Sequence, residues 1–329
     1  MNNGDQIKEA KVNEIVDSIK KIFVDEKLDV LIGYEKGSLP LRGTPCFVES
    51  ADDLDRVIFD FTCHNNIAKY LADEKKRPGD PRKVGIIAKG CDARAIAQLI
   101  VEDQYPREKV VIIGVPCTGV IDPAKLRVAL SGKDLADYKI EGDNIILIGD
   151  DFKIELPRIE LLQGGCLSCK YPNAPQYDYF IGEPAKPIAA RDEFAIIEDL
   201  ASKPADERWA YFENEYSACT RCYACRNACP LCYCEECFVD RSMPAWLGKG
   251  NELSDNIVYH IVRVLHLAGR CVDCGACAAA CPLGIDVRII GKRIEKEVLD
   301  RFGYVAGLDF ETQPALAAFR EDDKEEFIM

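Results

Sequence analysis

The chain has 329 residues, about half of them hydrophobic, and a formal net charge of −14. This length allows one large globular domain or two ordinary ones, and the acidic balance argues against binding to nucleic acid or to anionic membranes. The longest apolar run, Val110–Ile121, is interrupted by Pro116 and is too short to cross a bilayer. Because the polar N-terminus also has no secretory apolar core, we expect a cytoplasmic protein.

The first half of the chain predicts an α/β domain. Apolar residues recur at helical spacing over Lys11–Phe23, and Leu28–Ile32 has the composition of a short buried strand. The stretch Ile67–Leu71 predicts a further helix, and Asn144–Ile148 predicts a further strand of the same domain.

The clearest local unit of this domain lies between residues 84 and 115. Val84–Ala88 predicts a strand, Ala93–Glu102 a helix with Asp92 as its N-cap, and Val110–Val115 a second strand. A strand, a helix and a strand at this spacing form a unit whose two strands are parallel neighbours.

Helices also organise the second half of the chain. A short one is expected near Glu193–Leu200, within a proline-containing connector. Asp255–Ala268 predicts a helix capped by Ser254 or Asp255, and the amphipathic stretch Val287–Phe302 predicts the last helix before an acidic tail.

The cysteine content is far above ordinary usage, with 17 cysteines in the chain. Their clustering in a long chain without a secretory signal favours metal ligation over disulfides. Two runs share the spacing C-x2-C-x2-C-x3-C-P. The first run contains Cys219, Cys222, Cys225 and Cys229, and the second contains Cys271, Cys274, Cys277 and Cys281.

This spacing is that of bacterial ferredoxins with two clusters, in which three thiolates hold one [4Fe–4S] cluster and the fourth reaches across to the other. It predicts two clusters with exchanged fourth ligands. The first set would be Cys219, Cys222, Cys225 and Cys281, and the second Cys271, Cys274, Cys277 and Cys229. The alternative is zinc, but zinc sites usually show paired C-x2-C knuckles separated by a longer gap.

Three more cysteines, Cys232, Cys234 and Cys237, follow the first run at once. One interpretation is that they bind a further cluster or a zinc ion, with Cys46 or Cys63 as the fourth ligand. The other is that they pack against the first cluster and bind no metal.

Four cysteines of the α/β domain form another candidate site. Cys91 lies at the C-terminal end of one predicted strand and Cys117 just past the end of the next. Parallel neighbours bring both to the sheet edge at which α/β folds bind ligands. Together with Cys166 and Cys169 of the CLSC loop, they predict a third cluster. The alternative is that Cys91 and Cys117 are buried small apolar residues.

Several stretches occur in an order that is typical of one family. They are GYEKG, CHNNIAKYL, KVGIIAKGCDARAIAQLI, REKVVIIGVPCTGVID, CLSCKYP, TRCYACRNACPLCYCEEC and AGRCVDCGACAAACPLGIDV. From about Ile32 to Gly307, the chain resembles the beta subunits of hydrogenases and formate dehydrogenases that use the deazaflavin coenzyme F-420. The resemblance is closest to the formate dehydrogenase beta subunit with a C-terminal ferredoxin portion.

This resemblance implies one FAD in the α/β domain, with a [4Fe–4S] cluster beside it at Cys91, Cys117, Cys166 and Cys169. The flavin would exchange a hydride with a soluble carrier and pass single electrons to the clusters. The residues expected to contact FAD are Lys36, Asn65, Asn66, Lys89, Gly90, Asp92 and Arg94.

The implied architecture has three parts. Residues 1–204 would form a flavin-binding α/β domain with parallel strands and one cluster. Residues 205–290 would form a dicluster ferredoxin domain with a helical insertion, and residues 291–329 a C-terminal helix and an acidic tail.

The function implied is that of an electron-transfer subunit of an oxidoreductase. Its partner would be a catalytic subunit, such as that of a formate dehydrogenase, a hydrogenase or a heterodisulfide-reductase-like complex. Deazaflavin, nicotinamide and another subunit all remain open as electron donors. No catalytic acid or nucleophile is expected, and the three histidines, His64, His260 and His266, are expected to be structural. The alternative is a polyferredoxin adapter without flavin that bridges two redox subunits.

Overall fold

The computed structural model describes residues 15–188 and 191–315. The acidic tail and residues 11–14 of the predicted opening helix lie outside these ranges. Within them, no helix is long and apolar enough to span a membrane.

The strands form two sheets. In chain order they are β1 (Val30–Lys36), β2 (Gly43–Val48), β3 (Val57–Ile58), β4 (Val84–Ala88), β5 (Val110–Gly114), β6 (Asp137–Glu141), β7 (Asn144–Ile148), β8 (Lys153–Pro157) and β9 (Tyr179–Phe180). The larger sheet has the order β2-β1-β4-β5-β9, and β3 also pairs with β1. The pairs β1–β4, β4–β5 and β5–β9 are parallel, whereas β2 and β3 run antiparallel to β1.

The α-helices surround these sheets and build the C-terminal half. They are α1 (15–25), α2 (Lys69–Glu74), α3 (Gly90–Val101), α4 (Pro123–Leu130), α5 (Arg158–Leu161), α6 (Ala195–Ser202), α7 (Ala205–Ser217), α8 (Ala224–Asn227), α9 (Leu253–Leu265), α10 (Ala276–Ala279) and α11 (Arg288–Phe302). The predicted unit β4-α3-β5 is confirmed. Both of its strands are buried along their whole length, as expected of parallel strands that are covered on both faces.

Two helix starts differ from the prediction. Helix α3 begins at Gly90 with Lys89 as its N-cap, so Asp92 lies in the first turn, where its carboxylate accepts the Lys89 N–H at 3.0 Å. Helix α9 begins at Leu253 after Glu252, and the carboxylate of Asp255 instead accepts the Gly248 N–H at 2.9 Å. In both cases an acidic residue bonds backwards to the preceding loop, and the helix therefore starts upstream of it.

The predicted strand at Asn144–Ile148 exists, but it does not join the parallel sheet. It is the central strand of a separate antiparallel sheet, β6-β7-β8, whose buried face packs around Ile121 and Leu126. The two halves of the chain share one apolar core. This core joins Ile86 and Ile112 of the parallel sheet to Leu267 and Val298 of the C-terminal half. The cysteine-rich half therefore packs directly on the α/β half, while the predicted domain boundaries stay a prediction.

Candidate metal centre

The two cysteine runs have the same backbone conformation. In the first, Arg221 and Tyr223 have positive φ angles of 49° and 59°; in the second, Asp273 and Gly275 have φ angles of 49° and 76°. Each run then enters a four-residue helix, α8 or α10, that carries its third cysteine. Left-handed conformations cost a non-glycine residue about 1–2 kcal/mol. Three of these four residues are not glycine, so both loops keep a strained shape at the same two positions.

These turns point backbone N–H groups at the first thiol of each run. The Arg221 N–H donates to Cys219 Sγ and the Asp273 N–H donates to Cys271 Sγ, each at 3.4 Å. A hydrogen bond of this kind favours the negatively charged thiolate that metal ligation requires. The loops thus place donors at corresponding positions of both runs.

Four thiols surround a cavity of about 50 Å³ next to the second run, which we call the second-run cavity. They belong to Cys271, Cys274, Cys277 and, from the first run, Cys229. These are the four residues that the ligand exchange predicts for one cluster. Burial raises the pKa of Cys271 well above its usual range, that of Cys274 to about 12 and that of Cys277 to about 11. Each of these three thiols therefore holds its proton more tightly than the thiol of a free cysteine does.

The four thiols of the other predicted set also lie near one another. Cys219 and Cys225 are buried in one apolar cluster, and Cys281 packs against it. Burial raises the pKa of Cys219, and the nearby thiols of Cys225, Cys281 and Cys222 raise it further. Cys222 is exposed. We call these four residues the first-run thiols.

A second cavity, of about 40 Å³, is lined by four cysteines of the α/β half: Cys91, Cys117, Cys166 and Cys169. We call it the N-terminal thiol cavity. Gly90 allows this approach, since a Cβ atom there would lie 1.8 Å from the Tyr171 carbonyl oxygen in the loop after Cys169. The Cys117 N–H also donates to the Pro172 carbonyl at 2.9 Å. Contacts between distant loops therefore bring these four thiols together.

The three thiol groups adjoin. Cys274 lines both the second-run cavity and the N-terminal thiol cavity. Cys277 lines the second-run cavity and packs against the apolar cluster that contains the first-run thiols. The three groups thus form a continuous row, with the second-run cavity in the middle.

Cys232, Cys234 and Cys237 line a separate cavity of about 240 Å³. Cys46 and Cys63 are not among the described residues that line it; both are buried in apolar clusters of the α/β half. The structure therefore does not bring either of these proposed fourth ligands to the three thiols.

A site for a single metal ion requires side chains that converge on one point, which a thiol-lined cavity does not. Across residues 15–188 and 191–315, no group of three or more His, Cys, Asp or Glu side chains is placed to hold a metal ion. The cysteines are spread around cavities instead of converging on one point.

The seven predicted flavin contacts do not form one accessible site. The Lys89 ammonium is buried and bonds the Asp92 carboxylate at 2.7 Å, the Tyr34 hydroxyl at 2.5 Å and the Asn65 carbonyl at 3.1 Å. These partners use its three N–H donors. Asn66 is likewise engaged, since its amide donates to the Cys91 carbonyl at 3.1 Å.

Arg94 is buried too, and it bonds the C-terminal half. Its guanidinium donates to the Ala306 carbonyl at 3.0 Å and to the Val272 carbonyl at 3.2 Å. Its Nη2 has no partner, and the residue lines a further cavity beside Cys91. Lys36, in contrast, is exposed at the end of β1.

Three residues of α9 lie close to the cysteines although none of them was a predicted site residue; of the three, His260 was expected to be structural. The Tyr259 hydroxyl lies 3.3 Å from Cys225 Sγ, and His260 Nε2 lies 3.4 Å from Cys219 Sγ. Arg263 donates to the Cys225 carbonyl at 3.0 Å. Burial lowers the pKa of His260 to about 4, so its ring is neutral at pH 7. The sequence feature that could have indicated these contacts is the position of α9 between the two cysteine runs.

Comparison with known proteins identifies relatives along nearly the whole chain. No protein-family model matches it. The F420-dependent formate dehydrogenase subunit beta of Methanocaldococcus jannaschii is 25% identical, over 94% of this chain and 95% of that protein. The F420-dependent formate dehydrogenase 1 subunit beta of Methanococcus maripaludis is 26% identical, over 92% of each chain.

A weaker likeness exists to a solved structure, the xenon-derivatised F420-reducing [NiFe] hydrogenase complex from Methanosarcina barkeri. The match covers 49% of this chain and 63% of the other, at 14% identity and a TM-score of 0.38. A score of that size is too low to show a shared fold.

Proposed function

We propose that this chain, a relative of the beta subunits of F420-dependent formate dehydrogenases, is the iron–sulfur electron-transfer subunit of an oxidoreductase complex. Three [4Fe–4S] clusters would be held by the first-run thiols, by the thiols of the second-run cavity and by those of the N-terminal thiol cavity. A cluster of this type supplies one-electron transfer at a potential set by its protein surroundings.

The observation that carries this proposal is the row of adjoining thiol groups. Each group contains four cysteines, as a [4Fe–4S] cluster requires, and Cys274 is shared by the walls of two cavities. Metal sites with a purely structural role would not need to adjoin one another. A row that runs from the α/β half to the cysteine-rich half is what electron transfer between two partners requires.

The residues of the chain support cluster binding in two ways. They bury Cys229 and half-bury the other three cysteines of the second-run cavity. The backbone N–H groups of Arg221 and Asp273 donate to sulfur, and the Tyr259 hydroxyl lies 3.3 Å from Cys225 Sγ. Such hydrogen bonds and burial are the means by which proteins adjust cluster potentials.

The partner that we propose is a catalytic subunit of a formate dehydrogenase, a hydrogenase or a heterodisulfide-reductase-like complex. This rests on the names of the two curated relatives, which are beta subunits of formate dehydrogenases. A soluble hydride carrier at the other end of the row would in addition require a group that accepts two electrons as hydride and releases them singly, as a flavin does.

FAD is implied by the resemblance, but the residues predicted to hold it do not fit that role in this structure. Lys89 and Asp92 are paired with each other, and Arg94 bonds two carbonyl groups of the C-terminal half. This observation favours a second candidate function, an adapter without flavin that bridges two redox subunits.

Two measurements on anaerobically purified protein test these proposals. Three clusters of four irons predict about twelve irons per chain and a paramagnetic signal after reduction. Zinc in place of iron, or iron below eight per chain, would refute the electron-transfer function. The two candidate functions are separated by releasing flavin through acid denaturation and quantifying it by fluorescence. One FAD per chain excludes the adapter without flavin. No FAD at full iron content excludes an electron-transfer subunit that contains flavin.

A further inference from the structure

The second-run cavity has one charge that no neighbouring side chain balances. Its charged lining residues are Arg263, Arg288, Lys292, Asp273 and Glu295. Arg288 binds Asp273 at 2.8 Å, and Lys292 binds Asp273 at 3.1 Å and Glu295 at 3.0 Å. Two cations and two carboxylates are thus paired. The guanidinium of Arg263 is the remaining charge.

Arg263 is buried, with 5% of its surface exposed. One of its nitrogens donates to the Cys225 carbonyl at 3.0 Å, and its Nε has no hydrogen-bond partner among residues 15–188 and 191–315. No carboxylate lies within ion-pair distance of it in the portion of the chain that the structure describes. Burying an unpaired charge costs several kcal/mol, so such a residue indicates an anion that belongs beside it.

The atoms beside Arg263 are sulfur atoms. It interacts electrostatically with the thiols of Cys277, Cys229, Cys232 and Cys225. Cys229 and Cys277 belong to the second-run cavity, which Arg263 also lines. Four thiolates around a [4Fe–4S] core carry a net negative charge, and reduction adds one more electron without forming or breaking a bond.

We propose that Arg263 is the fixed counter-ion of the second-run cavity and raises the reduction potential of the cluster bound there. This inference rests on the proposed function. A buried positive charge stabilises the reduced state more than the oxidised state, because the reduced cluster is the more negative of the two. Helix α9, inserted between the two cysteine runs, thereby holds a charge at the middle of the thiol row.

The test is a potentiometric titration of the full chain in its complex, followed by electron paramagnetic resonance. In Arg263→Met, we expect one cluster to be reduced at least tenfold less favourably, which is about 59 mV for one electron. Arg263→Lys keeps the charge and should restore most of that loss. Arg293→Met is the matched control, because Arg293 is an exposed arginine of α11 and is not among the described residues that line the cavity; it should shift no cluster by that amount.

An unchanged set of potentials in Arg263→Met at full iron content would overturn the inference. If the Arg263→Met protein loses four irons, the iron content of Arg263→Lys decides between two explanations. A full iron content in Arg263→Lys supports a requirement for the positive charge. The same loss of iron in Arg263→Lys shows that the shape of the guanidinium matters instead, and overturns the inference. Absence of clusters from the unaltered chain would refute the proposed function. Clusters whose reduction potentials do not change when Arg263 is substituted would refute only the role of Arg263.

Discussion

Replacing Lys89 by methionine removes the positive charge from an ion pair that is almost fully buried. The side chains of Lys89 and Asp92 are 2% and 0% exposed, and their charged atoms lie 2.7 Å apart. The same ammonium also bonds the Tyr34 hydroxyl and the Asn65 carbonyl. The variant therefore leaves a carboxylate and two polar groups without their common partner.

Breaking a buried ion pair in this way costs about 3–5 kcal/mol. At about 2–4 °C per kcal/mol, the melting temperature should fall by about 6–20 °C. Burial raises the pKa of Asp92, and loss of Lys89 removes the charge that opposes this rise. A carboxyl group whose folded pKa is raised is destabilising above its unfolded pKa, so the deficit should be smaller at about pH 5 than at about pH 8.

The assay is thermal unfolding of the anaerobic protein by circular dichroism, at one scan rate for all variants. Lys36→Met is the matched control, since Lys36 is exposed, and it should change stability by less than about 0.5 kcal/mol. The double variant Lys89→Met/Asp92→Asn should recover part of the loss. A Lys89→Met protein that melts like the parent but has lost bound flavin would refute the structural role that we assign to Lys89.

Three further substitutions test the thiol row and the contact between the two halves. Cys91→Ser should lower the iron content by about four per chain, as measured by a colorimetric iron assay. Tyr259→Phe removes the hydroxyl that lies 3.3 Å from Cys225 Sγ; one cluster potential should fall while the iron content stays unchanged. Glu102→Gln weakens the bidentate contact with Arg270, whose two bonds are each 2.6 Å, and should cost about 1–3 kcal/mol in thermal unfolding.

Each of these expectations has a result that contradicts it. An unchanged iron content in Cys91→Ser would exclude the Cys91 thiol as a ligand. The control is Cys46→Ser, because Cys46 is buried in a separate apolar cluster, and this variant should keep the iron content of the parent. Equal potentials in Tyr259→Phe would show that its hydroxyl does not act on the cluster. An unchanged melting temperature in Glu102→Gln would mean that the ion pair with Arg270 contributes nothing to stability.

Sequence spacing alone predicts the ligand sets of the two runs. In ferredoxins with two clusters, a C-x2-C-x2-C-x3-C run directs three thiols to one cluster and the fourth to the other. Cys229 accordingly lies at the cavity of the second run. The unit β4-α3-β5 was also predictable, because its strands and helix are continuous apolar patterns.

Only the tertiary structure decided which side chains of other segments reach those thiols. The burial of Lys89 and Asp92, the position of Arg263 between two thiol groups and the shared wall at Cys274 all depend on contacts between residues far apart in the chain. Such contacts follow from how the halves pack. Local pattern identifies residues that could bind a flavin, but it does not show whether their hydrogen-bond donors are already used in the core.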